Sequence, residues 1–304
     1  MIHRRGEFRL GFSFASNRRC RVYSSSPSRW RPLPAILDGS LETFRREAFE
    51  PSIPALLTRG QFLGLPAIQK WFVRSGNDAD RASLNHRYLE DFGAATVPLE
   101  LTSLVGGARA DGVKDTFQRA EVPFHMFLEW TKLATVDSSE RLYLAQASFS
   151  RLPKALIEDL PTPEIVAKAG TGDIYDTNLW MGIAPTYTPL HRDPNPNLFV
   201  QLAGHKVVRL LPPDAGHGIF DRVQIALGKS GSAAFRSEEM MKGEEKKMLE
   251  AEIWDDNLQM NEDGDKGYHV HLWGADGLFI PKGWWHSIKG VDSGILASVN
   301  WWFR

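Results

Sequence analysis

Residues 188–202 read TPLHRDPNPNLFVQL, and Lys206 follows four residues later. The run holds a His-x-Asp pair, His191 and Asp193. Side chains alternate along an extended backbone, so two residues two apart point to the same side. A third candidate ligand, His286, lies far downstream in FIPKGWWHSI. Two imidazoles and one carboxylate on one face leave coordination positions open, as in non-haem Fe(II) sites that activate O2. Alone, the pair also fits a loop histidine followed by a turn-forming aspartate before Pro194.

Moving outward, the chain from Arg141 onward is built of short strand-like runs: LYLAQASF, NLWMGIA, NLFVQL, KVVRLL, YHVHLW, GLFIP and ILASVNWWF. They are rich in β-branched and aromatic residues and are separated by Pro, Gly or Asp turns. Many short strands in series imply a sandwich or barrel rather than a parallel α/β sheet. A charged interruption at about 221–267 carries Glu238, Glu239, Glu244, Glu245, Lys246, Lys247 and Glu250 around Met241, Met248 and Leu249. It reads as a solvated helix inserted between strands, either a lid over a barrel mouth or a surface insertion. Residues 34–140 mix helices and strands. Leu41, Phe44, Ala48 and Phe49 recur at helical spacing until Pro51, and Pro66 and Pro123 each open a further helix. Leu84, Tyr88, Leu89 and Phe92 mark another helix ending at Gly93, followed by a strand in TVPLEL.

The 304 residues, 42% hydrophobic and 24% charged with a formal net charge of -1, suit one large domain or two small ones. Near neutrality gives no support for charge-driven binding to DNA or anionic membranes, and no apolar run is long enough to span a bilayer. A single cysteine, Cys20, excludes an internal disulfide framework. Residues 1–33 are rich in Arg and Ser and carry one acid, Glu7. That composition reads as a mitochondrial transit peptide or a disordered basic tail. RCRVYSSS resembles a presequence cleavage site with the cut after Tyr23, which places the protein in the mitochondrial matrix. Cytoplasm or nucleus is the alternative.

The order TPLHRDPNPNLFVQLAGHKVVRLLPPD, LFIPKGWWHSI and VNWWF, with EPSIPALL, VPLEL and YLAQ before it, resembles the JmjC-domain oxygenases, in their small cupin-like hydroxylase branch. The resemblance covers residues 51–304. It implies a mainly β fold with flanking helices (α+β): a double-stranded β-helix, or jelly-roll, with its core at 141–304. It also implies Fe(II), 2-oxoglutarate as cosubstrate and O2, with ascorbate as reductant in assays. His191, Asp193 and His286 would ligate iron. Lys206 would pair with the distal carboxylate of 2-oxoglutarate, Thr188 and Tyr143 would add hydroxyl donors, and Asn197, Asn300 and Trp302 would line the same chamber. Each polar residue also fits a local backbone contact.

The implied reaction is oxidative decarboxylation of 2-oxoglutarate coupled to hydroxylation, with a protein or peptide as partner. Glu100 and Trp180 fall where arginyl-hydroxylase members hold a guanidinium, and a carboxylate and an aromatic face suit that cation. A tRNA-base hydroxylase and a lysine demethylase are enzymatic alternatives, and a catalytically inactive cupin-like interaction protein is the non-enzymatic one. The pair His269 and His271 competes as a metal site, while His205 and His217 lie beside turns. The usual Pro-Gly-Asp turn before the distal histidine strand is replaced by WGADG.

Overall fold

A computed structural model describes residues 29–74, 82–105, 114–135, 137–229, 241–256 and 267–304. Two sheets face each other. The smaller contains, in order, Trp30–Pro32, Gly267–Leu272, His205–Leu211, Trp285–Val291 and Thr186–Arg192. The larger runs Ala35–Ile36, Ala55–Leu57, Gly277–Ile280, Asn197–Ala203, Ile295–Phe303, Ile174–Ile183, Glu140–Ser148, Thr96–Val105 and Lys114–Pro123. Between residues 174 and 303 successive strands switch sheet at every connection except the one from His205–Leu211 to Gly267–Leu272, which pair with each other in the smaller sheet, and all pairings among these strands are antiparallel, as in a jelly-roll.

Strand alternation explains where the apolar and polar residues go. On the larger sheet, Leu198, Val200, Leu202, Val299, Trp301, Phe303, Leu179 and Met181 point outward into a core shared with helical segments at Leu41–Phe44, Pro66–Lys70, Phe124–Leu133 and Lys154–Glu158. Trp301 and Phe303 are fully buried, worth roughly 1.5–3 kcal/mol each in apolar burial. The intervening residues Asn197, Ser298, Asn300, Asn178 and Trp180 face inward, so this sheet carries its polar side toward the other sheet. The inner face of the smaller sheet is apolar at one end, where Val208, Leu210, Val270 and Leu272 pack against Phe199 and Leu278. The other end is left for the site.

Helices Pro213–Ala226 and Gly243–Trp254 cover the outer face of the smaller sheet through Ile219, Phe220, Val223, Leu249 and Ile253, which pack on Trp30, Leu211 and Trp285. The charged segment near 221–267 therefore has a buried apolar side rather than being solvated all round. Its residues 230–240 and 257–266 lie outside the described residues.

In the N-terminal flank the strand expected at TVPLEL forms as Thr96–Val105, and Lys114–Pro123, which the sequence reading did not name as a strand, pairs with it to extend the larger sheet. Residues 29–33, the end of the segment expected as a transit peptide or basic tail, are described and belong to the fold. Trp30–Pro32 pairs in parallel with Gly267–Leu272, and the Trp30 and Leu33 side chains are buried. Residues 1–28, which carry the targeting expectation, lie outside the described residues. No helix among the described residues is long and apolar enough to cross a membrane.

Candidate metal centre

Thr188 and His191 are three residues apart, so strict alternation would put them on opposite faces of their strand. A bulge between them resets the register: Thr188 pairs with Ile288, and His191 pairs with His286. Both therefore face the cavity, and Leu190 turns outward into the core beneath the helices. Asp193 follows directly after the strand.

The ligand atoms of His191, Asp193 and His286 all lie within 4.8 Å of one another, and all three residues are buried. His191 Nε2 stands 3.9 Å from Asp193 Oδ1, and His286 Nε2 stands 3.6 Å from Asp193 Oδ2. Each histidine turns its Nδ1 to the carbonyl two residues before it, Pro189 at 2.8 Å and Trp284 at 3.4 Å. A carbonyl only accepts, so this contact puts the proton on Nδ1 and aims Nε2 at the carboxylate. Burial, and then the neighbouring His286, hold the His191 imidazole well below the usual histidine range. A neutral imidazole is the ligand form. Asn197 donates from Nδ2 to Asp193 Oδ2 at 2.8 Å and so fixes the carboxylate's rotation.

These groups line a cavity of about 620 Å³, large enough for a small ligand together with a side chain. Lys206 enters it from the smaller sheet. The residue is 3% exposed, and its ammonium donates to Ser298 Oγ at 2.9 Å and Tyr143 Oη at 3.3 Å. No carboxylate lies within ion-pair distance of it among the described residues, and burial lowers it to about 7. Gly182 pairs with Tyr143, and any Cβ there would run into the Tyr143 ring. Glycine is therefore needed for the phenol to reach Lys206.

Of the other residues expected at the site, Thr188, Asn197, Asn300, Trp302 and Trp180 line the cavity. The Thr188 carbonyl accepts from Ser287 Oγ at 2.9 Å. Trp180 Nε1 donates to Asn300 Oδ1 at 2.6 Å, locking the amide so that its Nδ2 remains unpaired among the described residues. Glu100 is not part of the cavity wall. It lies one strand further out, opposite Tyr143, buried and without a hydrogen bond among the described residues. Burial pushes its carboxyl up to about 7, against the pull of Arg119. Among the described residues, the helices covering the smaller sheet supply none of the cavity's lining.

Comparison with known proteins places this geometry. The family model described as a cupin-like domain matches residues 41–304. Lysine-specific demethylase JMJ30 of Arabidopsis thaliana is 28% identical over 264 residues, covering 86% of this chain and 53% of that protein. Jumonji C domain-containing protein 5 of Drosophila melanogaster is 26% identical over 275 residues, covering 89% and 59%. The chain belongs to the cupin-like JmjC family. Lysine-specific demethylase 8 of Xenopus tropicalis, 25% identical over 274 residues, spans 89% of the chain and 52% of its own length. The chain thus spans between about half and three-fifths of the length of these relatives.

A JmjC-family iron site fits the residues present: two Nε2 atoms and one carboxylate converge in a cavity whose buried lysine, Lys206, has no carboxylate within ion-pair distance among the described residues. Sequence reading missed Ser298. It lies two residues before Asn300 on the same inward face, so alternation alone would have found it. The competing pair His269 and His271 is not on the cavity wall.

Proposed function

We propose that the protein is an Fe(II)- and 2-oxoglutarate-dependent oxygenase that hydroxylates a cationic side chain, arginine first, in a protein or peptide. The observation that carries this reading is the pairing, in one cavity, of the His191–Asp193–His286 triad with a buried lysine that has no carboxylate partner among the described residues. An unpaired buried ammonium is costly unless a ligand supplies the opposite charge. A dicarboxylate that chelates the metal at one end and meets Lys206 at the other would do so.

With iron, the keto acid and O2 bound, the family's chemistry is oxidative decarboxylation coupled to oxidation of a C–H bond. The chain's own residues do the rest. His191, Asp193 and His286 would hold the metal and leave positions open. Lys206, Ser298 and Tyr143 would bind the distal carboxylate, and Thr188 would add its hydroxyl. Trp180, Trp302 and Phe199 wall the cavity and exclude water. Trp180 offers an aromatic face and Glu100 an unpaired carboxylate behind Tyr143, which supports a cationic substrate side chain. Glu100 would have to be reached past the tyrosine.

N-methyl-lysine is the second cation that fits, and the names of two relatives favour it. Incubating the protein with iron, 2-oxoglutarate and candidate peptides, followed by mass spectrometry, separates the two. Hydroxylation adds the mass of one oxygen atom, demethylation removes a methylene, and unaltered peptides with no keto-acid consumption would refute both. The Arg- and Ser-rich N-terminus supports a mitochondrial location, which a fluorescent fusion that remained cytosolic would overturn.

A further inference from the structure

The sequence offered His269 and His271 as a second metal pair, but the structure brings a different histidine to His271. His205 opens the strand His205–Leu211, and His271 lies near the end of its antiparallel neighbour Gly267–Leu272. Neither contributes to the cavity wall.

His205 is 8% exposed and lies flat on Trp273, with ring centroids 3.7 Å apart and planes 11° apart. Its Nδ1 is 2.8 Å from Asp292 Oδ2. An ionised carboxylate only accepts, so the proton is on Nδ1 and the lone pair is on Nε2. That Nε2 accepts a hydrogen bond from His271 Nδ1 at 3.0 Å, so an ion held by both nitrogens would take the place of the proton they share. A carboxylate holding one ring nitrogen while the other faces outward is the support that metal-bound histidines commonly have. Two nitrogens 3.0 Å apart can each reach one ion at about 2.1 Å with a near-right angle between them. His271 itself is exposed, so water can fill the remaining positions.

We propose that His205 Nε2 and His271 Nδ1, supported by Asp292, form a second metal site that is separate from the triad. Two imidazoles select zinc, copper or nickel over magnesium or calcium, which prefer oxygen donors. His269 is not a third ligand: its ring centroid is 6.0 Å from that of His271, and Arg209 places a positive charge beside it. A bound ion would clip together the strands that start at His205 and end at Leu272, with Asp292 adding the turn before Ile295–Phe303. Lys206, which follows His205, points to the opposite face of the same strand. The clip would therefore brace the strand carrying the cavity's cation without entering the cavity.

The test uses full-length protein carrying His191→Ala and His286→Ala, which leaves the triad with a single ligand. Zinc sulfate is titrated into metal-free protein in competition with a chromophoric chelator, and thermal midpoints are recorded with and without zinc. We expect one equivalent of zinc to bind and to raise the midpoint. Adding His271→Ala should remove both effects, and Asp292→Asn should weaken binding by about 10- to 100-fold. His269→Ala should change neither. Midpoints without zinc show whether each variant is folded. Absence of zinc binding in the starting variant, or zinc binding that survives His271→Ala, would overturn the proposal.

Discussion

Replacing Lys206 by Met separates the two consequences of burying an unpaired cation. Burial lowers the ammonium from an ordinary 10.5 to about 7, with no opposing charge to offset it. Each pKa unit is worth about 1.4 kcal/mol, so keeping this lysine charged costs the cosubstrate-free fold about 5 kcal/mol as a ceiling. The sign follows from the direction of the shift. The folded state prefers the neutral amine, so the penalty is absent above about 10.5, grows as pH falls and is complete below about 7. Lys206→Met should therefore stabilise the protein without cosubstrate at pH 6.5 and do little near pH 10, as read by urea denaturation. Part of the gain is lost with the bonds to Ser298 and Tyr143, each worth roughly 1 kcal/mol. Cosubstrate binding should move the other way. An incoming carboxylate left without its cation costs about 3–5 kcal/mol, or roughly two to three and a half decades in affinity. In wild-type protein at pH 8, 2-oxoglutarate binding should also take up a proton, so calorimetric enthalpies should vary with the buffer's ionisation enthalpy. Lys206→Met should lose that dependence. A variant with unchanged affinity for 2-oxoglutarate, or one less stable than wild type at pH 6.5, would refute this reasoning.

Three further outcomes follow from the same contacts. Glu100 is pushed up from 4.5 to about 7, so its ionised form costs up to about 3 kcal/mol at pH 8 and nothing below about 4.5. Glu100→Gln should thus be the more stable protein in urea at pH 8 but not at pH 4.5. Trp180→Phe strands the Asn300 carbonyl in the cavity wall, and calorimetry should show a loss of roughly 1–3 kcal/mol. Asp159, far from the site, accepts from Lys70 Nζ at 2.5 Å, Trp71 Nε1 at 2.8 Å and Tyr88 Oη at 2.5 Å. Burial raises its pKa, but these three bonds outweigh burial and hold it low, so the stability they give is present at neutral pH and fades in acid. Asp159→Ala leaves the indole and phenol without an acceptor and should cost roughly 2–5 kcal/mol at pH 7 in urea.

A sandwich or barrel was legible because its signal is local: short runs rich in β-branched and aromatic residues, cut by turn residues, mark the strands. The jelly-roll and the candidate triad came with the resemblance to the JmjC family, since His191 and Asp193 alone also fit a turn. What escaped the sequence depends on pairing across distance. The strand Trp30–Pro32 is three residues in a basic stretch, and only its partner at Gly267–Leu272 and the pocket for Trp30 make it part of the fold. The same holds for the helix Gly243–Trp254, whose Leu249 and Ile253 look isolated among charges until Phe220 and Trp285 are placed beneath them. In the site, Asn197 was expected to line the cosubstrate chamber, and it does face the cavity. Its amide, however, holds Asp193, a contact that only the turn geometry between the two residues creates. Glu100 was expected against the substrate but is screened by Tyr143, a separation set by strand order and invisible to spacing. His205 looked like a turn histidine because its partners, His271 and Asp292, are 66 and 87 residues away.

The central claim is most directly tested by measuring succinate formation from 2-oxoglutarate by purified wild-type protein with Fe(II), ascorbate and O2, beside Asp193→Ala. The account predicts slow turnover by the wild type even without substrate, and none by the variant, which lacks the carboxylate of the triad. A folded wild-type protein that binds no iron and forms no succinate would contradict it, as would turnover that survives the loss of Asp193.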